Sequence, residues 1–213
     1  MVDLKQAIMR IRRSILFNAI ATVLLSGIFF VLDYIFSSPL DLMLILLLVA
    51  VYLPWVIAVI LAVVYQYGGA VALFNICRKG EPPQKQMLKA AAILIIIDPL
   101  FNFASVIGMI LVPRMFIKGR PLRYWYASIV LFILAQFGGV SEALLTIPLM
   151  LKMMPDSPVL PDSPPGFIDV IYWVLVVITV VFKLVMVAAW WTLYLSYSDM
   201  KLSAGKQAKG PQK

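Results

Sequence analysis

The sequence predicts an all-α integral membrane protein: four transmembrane helices plus one re-entrant or membrane-embedded hairpin. Three observations lead there. Of 213 residues, 63% are hydrophobic and 13% are charged, against about 45–50% and about 25% in a soluble domain. Mean hydropathy is +0.98. The apolar residues form five long runs, with most charges clustered between them. A soluble chain of this size buries only about 70% of its unfolded surface, too little to hide so much apolar material. The solvent must be largely lipid.

Each run can be justified in turn. Residues 1–13 form a basic, cytoplasmic or interfacial N-terminal segment carrying Lys5, Arg10, Arg12 and Arg13. Val2, Ile8, Met9 and Ile11 lie among these cations, which suits a short helix resting on anionic headgroups. Residues 14–198 read as one membrane helical bundle. Its first run, Ser14 to Phe36, is too long for a cleaved signal, and no A-x-A pattern follows it. The second, Leu42 to Cys77, contains Pro54, which should bend it. Within it, Tyr65-Gln66-Tyr67-Gly68-Gly69 suggests an interface or a close helix contact.

The third run, Leu88 to Val112, is interrupted by Asp98-Pro99. A residue before proline is pushed out of the α region, and Asp98 adds a charge. The fourth, Tyr124 to Leu151, opens with an aromatic trio and carries Gln136, Gly138, Gly139 and Glu142. Its Gln136-Phe137-Gly138-Gly139 faintly echoes Gln66-Tyr67-Gly68-Gly69, as inverted repeats do in some transporters. Residues 155–166 repeat PDSP and should favour extended polyproline II geometry. The fifth run, Phe167 to Tyr197, carries Lys183. Residues 199–213 read as a basic, disordered cytoplasmic tail.

Charge placement sets the topology through the positive-inside rule. If all five runs crossed with the N-terminus inside, the basic 113–123 connection and the basic tail would lie outside, and the acidic 152–169 connection inside. If the third run instead enters and returns on one side, every basic cluster becomes cytoplasmic and both acidic loops become external. We therefore favour four spans and a hairpin turning at Asp98-Pro99. The alternative is five transmembrane helices, since 25 apolar residues are enough to span. In the four-span arrangement both termini are cytoplasmic. The general type is a small protein of the bacterial cytoplasmic (inner) membrane.

Several functions are excluded by residue type. There is no histidine, so His-ligated metal sites and Ser-His-Asp or Cys-His catalysis are out of reach. Cys77 is the one cysteine and reads as a small apolar residue. No nucleotide-binding or hydrolase motif occurs. We expect no metal, no cofactor, no nucleic acid and no enzymatic activity. The net charge of +8 marks membrane surfaces.

Three ionisable residues do not fit the surface pattern: Asp98, Glu142 and Lys183. A charge at the bilayer centre costs about 2.5–3.5 kcal/mol even on the insertion scale. Counted at about 1.5 Å per residue, their depths fall within one side chain's reach, so Lys183 should pair with Glu142, Asp98 or both. Gln136 and Asn102 extend this intramembrane polar cluster. Arg114, Lys118, Arg120 and Arg123 form a weaker candidate site for anionic headgroups. The reading that follows is a non-catalytic scaffold, assembly factor or accessory subunit. Its partners would be the lipid bilayer, its anionic headgroups, and another membrane protein or a second copy. The alternative is a small transporter or channel-like protein built around the Asp/Glu/Lys site.

Overall fold

A computed structural model describes residues 4–37, 42–79, 85–98, 104–116, 123–153, 167–198 and Met200. All regular structure among them is helical: α1 (Leu4–Ser37), α2 (Leu42–Lys79), α3 (Lys85–Ile96), α4 (Ala104–Phe116), α5 (Arg123–Met153) and α6 (Phe167–Ser198). Four of these, α1, α2, α5 and α6, are long and apolar enough to cross a membrane. The third apolar run is different. It breaks after Ile97, whose N–H closes the last turn on Ile93, and continues as α3 and α4 of 12 and 13 residues. At about 1.5 Å per residue each is about 18–20 Å long, short of a core of about 30 Å. Neither short helix is long enough to span alone, which leaves four candidate spans among the described residues. The proline-rich 155–166 segment lies outside the described residues, as does the 199–213 tail apart from Met200.

Two long antiparallel pairs frame the bundle. In the α1/α2 pair, Phe17 stacks on Tyr65 at 5.6 Å and Ile11 meets Gly69. A Cβ at Gly69 would come 2.7 Å from Ile11 Cγ1 and 3.0 Å from the Ile11 backbone nitrogen. Only glycine admits that approach. In the α5/α6 pair, Phe132 meets Trp190 edge-on at 4.9 Å, and a Cβ at Gly138 would lie 2.8 Å from Phe182 Cβ. The second glycine of one echo is pressed, but the first of the other; Gly139 has open space. The two tetrapeptides thus do not occupy matching positions. Between α3 and α4, Gly108 lies against the Ala91 carbonyl and Ile95, so the short helices fold back on each other.

The basic N-terminal segment is no separate interfacial helix. It forms the first turns of α1, because Ala7, Ile8 and Ile11 are buried in the core. There they join Leu73 and Cys77 of α2, Leu88, Ala91 and Ile95 of α3, Met109 and Val112 of α4, and Leu193 and Tyr197 of α6. The outward faces are apolar instead of polar. On α6, Val170, Val174, Val177, Val181 and Leu184 recur at helical spacing and all are exposed. That inverts the soluble pattern and suits lipid.

Most of the cations among the described residues gather at one end of the bundle. Arg12 lies 4.2 Å over the Tyr194 ring near the end of α6. Arg13 lies over Tyr65 of α2, Lys89 of α3 over Phe74 of α2, and Arg114 of α4 over Trp125 of α5. The start of α1, the ends of α2, α4 and α6, and the starts of α3 and α5 therefore share this end. Asp169 lies at the other.

Proline inside α4 has a compensating partner. Pro113 carries no N–H, so the Met109 carbonyl one turn earlier loses its helical donor. The Tyr197 hydroxyl donates to that carbonyl at 2.7 Å, and Trp125 Nε1 donates to the neighbouring Ile110 carbonyl at 2.7 Å.

Two outcomes follow. Gly69→Ala should destabilise the protein by about 1–3 kcal/mol through overpacking, whereas Gly139→Ala should leave the thermal midpoint in detergent unchanged or raised. Tyr197→Phe should cost about 1–3 kcal/mol by orphaning the Met109 carbonyl. Adding Pro113→Ala restores a helical N–H and should recover most of that loss in the same melting assay.

Candidate functional site

The intramembrane charges predicted from sequence separate into two arrangements. Glu142 of α5 and Lys183 of α6 form an ion pair, with side-chain exposures of 35% and 16%. The register that places them follows from the α5/α6 contact. Phe182 presses on Gly138, and on the next turn Thr179 donates to the Ser141 hydroxyl at 3.1 Å. Ser141 in turn donates to the Gly138 carbonyl at 2.8 Å. Close backbones therefore bring the two charges together near the middle of both helices. Ser141 and Thr179 escaped the sequence reading. Their one signal is spacing: Thr179 lies one turn before Lys183 on the same helix face, and Ser141 adjoins Glu142 in sequence.

Asp98 does a different job. Its Oδ1 accepts the Ser105 N–H at 3.0 Å, and its Oδ2 accepts a longer bond of 3.4 Å from Gln66 Nε2 of α2. The first N–H groups of a helix lack intrahelical partners, and the positive end of the helix dipole favours an anion there. Asp98 thus caps α4 across the turn and ties that turn to α2. The expectation that Lys183 joins Glu142, Asp98 or both is met by Glu142, while the Asp98 oxygens are engaged at the hairpin turn. Asn102 lies outside the described residues.

Gln66 stands twelve residues before Arg78, or about 18 Å along α2 from the basic end. Asp98, bonded to Gln66, and the start of α4, bonded to Asp98, lie at that height. Above it a cleft of about 320 Å³ opens between the two long pairs. Its lining comes from five helices: Asn18, Ala21, Thr22 and Leu25 of α1, Trp55 and Val59 of α2, Val106 of α4, Phe132 and Gln136 of α5, and Lys183, Met186 and Trp190 of α6. Val106 lies in the first turn of α4, so the cleft begins at the N-terminal end of α4.

Most of this wall is apolar, and the polar groups are few. Thr22 bonds back to the Asn18 carbonyl at 2.8 Å. Asn18 donates to Ser14 within its own helix at 3.5 Å, not to a neighbouring helix. Gln136 donates to the Phe132 carbonyl at 3.2 Å. These local bonds leave the amide oxygens of Asn18 and Gln136 able to accept. Lys183 supplies N–H donors, with its charge balanced by Glu142. The site offers hydrogen bonds without net charge.

Of the candidate headgroup residues, Arg114 and Arg123 are exposed at the basic end. Lys118 and Arg120 lie outside the described residues. Comparison of the chain with family models, curated proteins and solved structures finds no match among any of them.

Breaking the ion pair tests its weight. Lys183→Met leaves Glu142 uncompensated in apolar surroundings and should cost up to about 2.5–3.5 kcal/mol. The charge-swapped double variant, Lys183→Glu with Glu142→Lys, should recover most of the lost stability, as read from thermal unfolding in detergent.

Proposed function

We propose that this is a non-catalytic multi-pass membrane protein, a scaffold or accessory subunit, that holds a membrane-resident ligand in its interhelical cleft. The observation that carries this reading is the cleft itself: the four helices of the long pairs and α4 line it, and its apolar wall contains two amides and a neutralised lysine. Such a mixture of an apolar wall and a few placed polar groups is the usual make-up of a ligand site.

The same reading sets the protein in a bilayer with α1, α2, α5 and α6 spanning. The α3/α4 hairpin then enters and leaves on the basic face, turning at Asp98. Cations gathered at one end support a cytoplasmic basic face, with both termini on that side. We assign it to the cytoplasmic membrane of a bacterium. Anionic headgroups on that face would meet Arg114 and Arg123, with Lys118 and Arg120 in the adjoining segment.

A second reading is transport, favoured by the Glu142–Lys183 pair at mid-helix. Charges at such depth often mark solute or proton paths.

Native purification with mass spectrometry tests the main reading. A lipid or a single membrane partner should be retained through purification. A topology reporter after Arg120 should be cytoplasmic; an external Arg120 would end the hairpin assignment. Solute flux in protein-containing vesicles that Glu142→Gln abolishes would instead establish the transport reading.

A further inference from the structure

Cleft size and charge balance narrow the ligand class, and this step rests on the cleft-binding reading above. The cleft offers about 320 Å³. That falls at the lower end of the range for small-molecule sites, about 300–1,000 Å³, so it can hold the polar group of an amphiphile with part of its chain.

Charge comes next. Lys183 is the cationic member of the lining, and Glu142 already balances it. A charged group entering this depth would bring an uncompensated charge into apolar surroundings. An uncharged hydroxyl or carbonyl would not. The Asn18 and Gln136 amides can accept from a hydroxyl, and their N–H groups and Lys183 can donate to a carbonyl. Trp55 and Trp190 supply the flat apolar walls.

We propose that the cleft binds a neutral lipid, an apolar chain bearing an uncharged hydroxyl or carbonyl group, with that group at Asn18, Gln136 and Lys183. Glu142 acts as a specificity residue: by cancelling the lysine it makes the site reject acidic amphiphiles. Specificity here comes as much from exclusion as from attraction.

The test uses the full chain purified in detergent, offered equimolar dioleoylglycerol, dioleoylphosphatidylglycerol and oleate, and read by native mass spectrometry. Dioleoylglycerol should be retained in preference to both acidic lipids by about tenfold, a 1.4 kcal/mol difference. Ala21→Phe and Val59→Phe each fill the cleft from a different helix, and whichever elutes monodisperse with an unchanged melting profile should lose the retained dioleoylglycerol. Glu142→Gln should turn the preference toward oleate. Preference of the wild-type chain for an acidic lipid, lost on filling the cleft, would overturn the neutral-lipid proposal but preserve the binding reading. Retention of dioleoylglycerol unchanged by both filling variants would place it elsewhere and overturn the proposal. Retention of no lipid of any class would defeat the binding reading itself.

Discussion

A helix that stops inside apolar surroundings exposes N–H and C=O groups that lipid cannot satisfy, and each one left bare costs several kcal/mol. In the proposed topology, the architecture turns on how this chain meets that constraint at the α3/α4 hairpin. Asp98 supplies an acceptor to the Ser105 N–H, and Gln66 fixes the other carboxylate oxygen from α2. At the second irregularity, Pro113, the orphaned Met109 carbonyl receives the Tyr197 hydroxyl. Each repair comes from a different long helix. The hairpin is therefore held by α2 at its turn and by α6 near its basic end, and the hydrogen bonds that permit the break also fix where the hairpin sits.

The hairpin's limited length then divides the bundle. On the basic side, α3 and α4 fill the space beside α1, α2 and α6, and the most buried side chains lie there: Ile11, Leu73, Leu88, Ile95, Met109 and Leu193. Beyond the turn nothing among the described residues replaces them, and the cleft opens. A packed half and an open half thus have one cause. The Glu142–Lys183 pair lies at the α5/α6 seam beside this opening, where its dipole is felt by whatever enters but its net charge is not.

Much of this was legible in sequence, because lipid imposes simple rules on residue placement. The five apolar runs, the break at Asp98-Pro99 and the sidedness of the cations all appear as one-dimensional patterns. The pairing of Lys183 with Glu142 followed from counting helical rise. The same count placed Asp98 within reach as well. Depth along a helix axis says nothing about the direction a residue faces around it, and Asp98 faces α2 and the start of α4. Gln66 gave no sign of being its partner, since a lone glutamine beside tyrosines resembles an interfacial residue. The role of Tyr197 was hidden for a related reason: Pro113 announces a missing donor but not the helix that replaces it. The apolar residues among the N-terminal cations suit a membrane surface in sequence, but Ala7, Ile8 and Ile11 form the face by which these turns of α1 pack into the core.

Glycine shows where pattern and geometry part. Gly68-Gly69 and Gly138-Gly139 look alike in sequence, but Gly69 meets α1 backbone and Gly138 meets an α6 side chain. In the first pair the helices approach until main chains touch, which suits the densely packed basic half. In the second, Gly138 accommodates Phe182 while Gly139 faces open space, one turn beyond Gln136 on the same helix. The similarity of the two tetrapeptides thus conceals different uses: Gly69 lets two main chains meet, and Gly138 admits the Phe182 side chain.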